Sequence, residues 1–112
     1  MIKPEIKAIN VHSDIWGDTP DDFYVKLEVD IGIEGINGSD LFMFSVISPK
    51  YLETSFSNHE ILLGKGLLVT KDYNINAIEN RINKILETCS KETWEQTAIE
   101  ISKYCRWEFE GI

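Results

Sequence analysis

The stretch that decides the fold is "DFYVKLEVDIGI", residues 22–33. From Phe23 onward every second residue is apolar, and the residues between them are mostly polar. A period of two is typical of a strand with one face toward a core and the other toward solvent. The pattern therefore predicts a half-buried antiparallel strand, with Glu28 and Asp30 on its solvent face.

The next apolar segment, "LFMFSVIS", predicts the second arm of a hairpin. Its core-facing residues are Phe42, Phe44 and Val46. Between the arms, Asn37-Gly38 predicts a two-residue type I′ turn, because both central residues of that turn need a positive φ. Pro49 should end the second arm, since proline removes a donor from the ladder.

Further elements flank this hairpin. The start of the chain, "IKPEIKAINVHS", predicts a first strand whose alternation is less regular. A single helical turn is expected around Tyr51 and Leu52. The apolar run near Gly66 predicts another strand over residues 66–71.

The periodicity changes from strand to helix after Tyr73. In "NINAIENRINKILETCS" the apolar residues recur at helical spacing, and Asn74 is the expected N-cap. "SKETWEQTAIEISKYCR" predicts a second helix, with Ser90 as the expected cap. Strands followed by helices indicate an α+β fold. We expect one domain over residues 1–112, with an antiparallel sheet of about four strands and two C-terminal helices on one face.

Length, composition and charge limit the function. The 112 residues include 43% hydrophobic and 27% charged residues, which fits one globular domain. The net charge of −8 is unfavourable for nucleic acid and for an anionic membrane surface, and it suits a basic partner. No export signal and no 18-residue apolar run is visible, so a soluble cytoplasmic protein is expected.

No motif points to catalysis, a cofactor or a metal. His12 and Asp14 are near neighbours in an extended segment, and a catalytic triad is assembled in space rather than in a row. Cys89 and Cys105 lack the spacing of a zinc site, and Cys105 falls on the apolar stripe of the second helix. A pair of carboxylates working as acid and base stays open, because acidic residues are plentiful.

The segment "SDIWGDTPDD", residues 13–22, concentrates acidic residues around a tryptophan. It is either a solvated turn or a recognition loop in which Trp16 is the anchor and the carboxylates attract a basic partner. Together with the solvent face of the long strand, this segment gives the candidate partner-binding residues. They are Asp14, Trp16, Asp18, Asp21, Asp22, Glu28 and Asp30.

The chain ends in an alternating aromatic and acidic strip, "WEFE", residues 107–110. With Trp107 and Phe109 on one face, the strip either closes the core or offers a surface to a partner. We favour closure of the core, with Glu108 and Glu110 facing solvent.

The order of these segments resembles immunity protein family 8 of bacterial polymorphic-toxin and contact-dependent inhibition systems. The resemblance rests on "DDFYVKLEVDIGIEGINGSDLFMFSVISPKYL", on the tryptophan in "ETWEQTAIEISKY" and on the closing "CRWEFE". It extends from about Ile6 to Glu110.

This resemblance implies a cytoplasmic antidote that binds a cognate toxin domain and has no enzymatic activity to transfer. The family does not name the toxin; a basic toxin is our inference from the charge. Two alternatives remain: an acidic DNA mimic that inhibits a nucleic-acid enzyme, and a small enzyme that uses a carboxylate pair. The oligomeric state is not predicted.

Overall fold

The computed structural model describes residues 1–55 and 61–110, which contain five strands and three helices. In chain order the elements are β1 (Pro4–Trp16), β2 (Phe23–Ile33), β3 (Asp40–Ile47), α1 (Pro49–Ser55), β4 (Leu67–Val69), α2 (Ile75–Glu87), α3 (Trp94–Ile101) and β5 (Arg106–Trp107). None of these helices is long and apolar enough to span a membrane.

The strands form one sheet in the order β1-β2-β3-β4, and β5 also pairs with β3. The pairs β1–β2, β2–β3 and β3–β5 are antiparallel, as expected, whereas β3–β4 is parallel. β4 pairs with residues 45–47 of β3 and β5 with residues 42–43, so the two short strands lie end to end along one edge. The predicted α+β class is confirmed, with a fifth strand and one parallel pair in addition.

The core lies between one face of the sheet and the two C-terminal helices. Every second residue of β2 from Phe23 to Ile31 is buried, as the period of two predicts. Phe42, Phe44 and Val46 of β3 extend the same apolar face. Ile82 of α2 and other buried residues of α2 and α3 pack against it. We call the opposite side of the sheet the outer face.

The N-cap of one C-terminal helix was predicted correctly from the sequence, and that of the other was not. Asn74 is the N-cap of α2, as predicted, and its side chain accepts a hydrogen bond from the Ala77 N–H. The prediction of Ser90 for α3 is wrong, because Thr93 is the cap. The backbone of Lys91 is already engaged: its carbonyl accepts from the Ile2 N–H and its N–H donates to the Thr97 hydroxyl. The helix therefore begins only after this anchored segment.

The loop between β2 and β3 is longer than the predicted type I′ turn at Asn37-Gly38, and that prediction is wrong. Gly35 and Gly38 have positive φ angles of 78° and 103°, while Asn37 does not. The Gly38 carbonyl folds back over Gly32, where an added Cβ would lie 2.2 Å from that oxygen. The missing side chain of Gly32 thus lets the loop close over the end of β2.

Helix α1 lies on the outer face and is longer than the expected single turn. Buried Ser48 precedes it, and its hydroxyl accepts from the backbone N–H groups of Phe23 and Tyr51, both at 3.1 Å. The Tyr51 ring contacts Tyr24 of β2 with centroids 5.5 Å apart. Strand β4, Leu67–Val69, is shorter than the predicted 66–71, because Gly66 takes a φ of 75° and belongs to the preceding turn.

One carboxylate joins the end of the chain to the core. Oδ2 of Asp40, the first residue of β3, accepts hydrogen bonds from Nε1 of Trp94 at 2.9 Å and from Nε1 of Trp107 at 3.1 Å. The Trp107 ring stacks on Phe42, and Trp94 meets Phe42 edge-on. Closure of the core by Trp107 is confirmed, whereas Phe109 remains 47% exposed.

We expect Trp107→Ala to lower the free energy of unfolding by about 3 kcal/mol, because it removes a large aromatic group from the edge of the core. Phe109→Ala is the matched control and should cost less than about 1 kcal/mol, since surface changes usually have small effects. Urea unfolding followed by fluorescence measures both. Equal losses for the two variants would contradict this assignment.

Asp40→Ala should cost about 2–4 kcal/mol, because two partly buried indole N–H groups would lose a charged acceptor. Asp40→Asn keeps one acceptor oxygen and should cost roughly half as much. Asp72→Ala, an exposed aspartate whose side chain has no partner among the described residues, serves as the control. Thermal unfolding compares the three; an Asp40→Ala variant as stable as the control would show that the two indoles do not need this carboxylate.

Candidate functional site

The acidic segment predicted as one loop is divided between a strand and a turn. Asp14 and Trp16 belong to β1, and residues 17–22 form the turn into β2. Two backbone hydrogen bonds close the turn: Gly17 N–H to the Asp22 carbonyl at 2.8 Å, and Asp22 N–H to the Thr19 carbonyl at 3.1 Å. The prediction that these residues share one short loop is wrong, because the pairing of β1 with β2 continues up to Trp16 and Phe23.

The Asp22 side chain points into the turn between β1 and β2. A Cβ added at Gly17 would lie 2.2 Å from the Asp22 Oδ2 atom, so the carboxylate occupies the space that the glycine leaves. Its other oxygen, Oδ1, is buried without a hydrogen-bond partner in the described part of the chain. Asp22 therefore closes the turn and does not present its charge to an approaching partner.

Asp21 is exposed, but its carboxylate already interacts with two neighbouring side chains. Its Oδ1 accepts from the Thr19 hydroxyl and lies 3.6 Å from the Lys50 ammonium group of α1. The Thr19 hydrogen bond, followed by the Lys50 charge, holds the pKa of the Asp21 carboxyl below its usual value. Asp18 is exposed and has no such partner among the described residues, so its charge faces solvent directly.

Trp16 is a fixed aromatic group on the helix side of the sheet. Its ring lies 5.1 Å from Phe23 and meets Tyr73 edge-on at 5.7 Å. Its Nε1 donates to Oδ2 of Asp14 at 3.1 Å. Even so, 44% of its surface is exposed. Such an ordered and half-open tryptophan has the properties of an interface anchor.

Tyr73, just before α2, completes this group and was missed from the sequence. Burial, and next the Asp14 charge, raise the pKa of the Tyr73 hydroxyl above its usual value. We call Asp14, Trp16, Asp18 and Tyr73 the end patch. Its sequence signal was weak, because Tyr73 lies 55 positions after Asp18 and no local pattern links the two residues.

Glu28 and Asp30 lie elsewhere, on the outer face. They are register partners of Met43 and Leu41 of β3, whereas Trp16 is opposite the buried Phe23. The Oε1 atom of Glu28 also lies 2.8 Å from His12 Nδ1. The seven residues predicted for partner binding thus do not form one surface. Asp14 and Trp16 lie on the helix side of the sheet, and Glu28 and Asp30 lie on its outer face. Asp18, Asp21 and Asp22 lie in the turn between β1 and β2.

The outer face also carries cations. A groove of about 450 Å³ on this face is lined by Tyr24, Met43 and Leu67 together with Lys26, Lys65 and Arg106. Lys65 forms an ion pair with Glu110. Lys26 and Arg106 therefore place positive charge on the same face as Glu28 and Asp30.

Residues 1–55 and 61–110 contain no cluster of three or more His, Cys, Asp or Glu side chains that could hold a metal. Cys89 and Cys105 are both buried free thiols. Burial raises the pKa of both thiols, that of Cys105 to about 12, so neither is a reactive thiolate at neutral pH. His59 lies outside the described residues.

By its architecture this protein is a small α+β domain, with its two C-terminal helices over one face of a mostly antiparallel sheet. The chain matches the family described as Immunity protein 8 over residues 4–111, and it belongs to that family. It is therefore an immunity protein, a class that acts against a toxin. No curated protein and no solved structure matches the chain.

Proposed function

We propose that this immunity protein acts in the cytoplasm of the producing bacterium, where it binds and neutralises a cognate, basic toxin domain without turnover of its own. Membership of the Immunity protein 8 family supports the role of toxin inhibitor. The net charge of −8 supports a basic toxin, since a field of one sign speeds association with the opposite sign. Delivery of the toxin by a polymorphic or contact-dependent system belongs to the same proposal.

The end patch is the surface that we assign to the toxin. The single observation that carries this assignment is Trp16, held by Phe23, Tyr73 and Asp14 and still 44% exposed. A side chain that is already ordered loses little conformational entropy when a partner covers it. The outer face is less suitable for a basic partner, because Lys26 and Arg106 line the groove on that face.

The acidic and aromatic members of the end patch act on different steps of binding. Asp14 and Asp18 attract a basic surface before contact, so they raise the association rate. Trp16 loses its remaining water on contact, so it slows dissociation. Asp21 contributes less to the attraction, because Lys50 lies 3.6 Å from its carboxylate.

We expect Trp16→Ala to increase the dissociation rate by about 30-fold, the equivalent of about 2 kcal/mol for an anchor residue. Asp18→Asn should leave dissociation nearly unchanged and lower association by about 2- to 5-fold at low salt. The effect on association should fade as the Debye length falls from about 30 Å at 0.01 M salt to about 8 Å at 0.15 M. Stopped-flow kinetics with the toxic domain encoded beside this chain measures both rates.

Two control variants separate local from general charge effects. Glu87→Gln removes an exposed charge beside Pro4 and Glu34, at the opposite end of the sheet. Asp21→Asn removes a charge that Lys50 already offsets, so both should slow association less than Asp18→Asn. If Trp16→Ala and Asp18→Asn remain folded by circular dichroism and bind with wild-type rates, the toxin binds at another surface.

We also expect the purified protein to show no turnover on nuclease, peptidase or ester substrates. Within residues 1–55 and 61–110, the carboxyls with displaced pKa values are Asp21 and Glu100. Hydrogen bonds lower the pKa of both, toward the charged form and away from the properties of a general acid. Activity assays on the purified protein check this. An activity that co-purifies and is lost on a carboxylate-to-amide substitution would contradict it.

A further inference from the structure

The two edges of the sheet are very different. Along β3, the edge position is divided between β4 with three residues and β5 with two. The other edge is β1, which has 13 residues and pairs only with β2 in the described part of the chain. A long unpaired edge exposes a row of backbone N–H and C=O groups that can accept another strand.

The first part of β1 carries features that discourage such pairing. Pro4 lacks an N–H, and Lys7 is an edge lysine that pairs with Glu5. The register with β2 shifts between Ile6 and Ala8 and again between Val11 and Ser13, which bends the edge. From Ser13 to Trp16 the register is regular. We call this last segment, Ser13–Trp16, the free edge.

Backbone hydrogen bonds show which groups of the free edge point outward. The N–H and the carbonyl of Phe23 both bond to Ser48, so they point away from β1. Trp16 is the register partner of Phe23, and Gly17 donates to the Asp22 carbonyl. Because bonded and non-bonded pairs alternate in an antiparallel ladder, Ile15 bonds to β2, while the N–H and C=O groups of Asp14 and Trp16 face outward.

The side chains around the free edge indicate the chemistry of an added strand. Ile15 is 55% exposed on one side of the sheet, and the Trp16 ring is half-exposed on the other. Asp14 and Asp18 place carboxylates beside these apolar groups. A matching strand would therefore alternate apolar and basic residues. A second copy of this chain would instead bring another charge of −8.

We propose that the toxin domain adds an extended, basic segment as a sixth strand to the free edge of β1, bonding to the outward backbone groups of Asp14 and Trp16. This inference rests on the proposed function and specifies how the end patch binds. Backbone bonds along the edge would contribute to affinity, while Trp16, Ile15 and the two carboxylates would select the segment.

Amide hydrogen exchange, followed by NMR on the free chain and on its complex with the toxic domain encoded beside it, tests the proposal. In the free chain the Asp14 and Trp16 amides should exchange quickly, while the Ile15 amide is already protected. In the complex, exchange at Asp14 and Trp16 should slow by about 100-fold or more, because both become hydrogen-bonded. Protection at these two positions supports strand addition.

Other outcomes overturn it in distinguishable ways. A tight complex in which Asp14 and Trp16 exchange as fast as in the free chain rejects strand addition and leaves the toxin inhibitor role intact. Failure to bind the toxic domain rejects both. Slow, concentration-dependent exchange of these amides in the free chain would mean that a second copy covers the edge.

A pair of variants provides an independent measurement. Asp14→Ala removes the charge and the acceptor for the Trp16 indole, whereas Asp14→Pro removes both of these and also the outward N–H. An edge strand tolerates proline where the N–H faces solvent. Asp14→Pro should bind at least about 10-fold more weakly than Asp14→Ala. Equal affinities, with both variants folded, would contradict a backbone contact at this position, and the exchange experiment remains decisive if Asp14→Pro does not fold.

Discussion

The apolar face shared by β2 and β3 has to be covered along its whole length, and the rest of the structure depends on that requirement. Phe23, Leu27 and Phe44 are almost completely buried. Burial of each such side chain contributes roughly 1.5–3 kcal/mol, and exposure would forfeit it. Helices α2 and α3 cover most of this face, and Trp107 covers the part around Phe42. β1 extends beyond the helices, and all residues from Val11 to Pro20 are exposed. The free edge and most of the end patch lie in this segment.

The parts of the fold that local periodicity determines were predictable, and those that depend on distant partners were not. The alternation of β2 and the Asn74 cap follow from neighbouring residues, and both were confirmed. The three residues of β4 are too few to show a period, so their parallel pairing depends on where β3 lies. The pair Asn37-Gly38 is typical of a tight turn. The absence of a side chain at Gly32, however, leaves room for the Gly38 carbonyl and so for a longer loop. The sequence also could not show that Asp40 joins two tryptophans, although buried indole N–H groups usually need an acceptor.

The candidate site was predicted in part. Trp16 and its acidic neighbours were predicted from their chemistry, and the structure shows that the carboxylates have different surroundings. Asp22 closes a turn, Asp21 is offset by Lys50, and Asp18 faces solvent. Glu28 and Asp30 are on the other side of the sheet because even-numbered residues of β2 point away from the core. Net charge alone therefore overstates how much of the surface is uniformly acidic.

The hydrogen bond between Trp107 and Asp40 joins residues 67 positions apart, and it has a consequence for the order of folding. The hairpin of β2 and β3 can form as soon as those residues leave the ribosome, but its apolar face then has no cover. Neither helix α3 nor β5 can form until residues 94–107 have been synthesised. During that interval exposed apolar strand surface is open to aggregation or to chaperones. The protein should therefore reach its closed form after translation of Trp107, as a late and cooperative step, and shortened chains should be removed by proteases before they can bind anything.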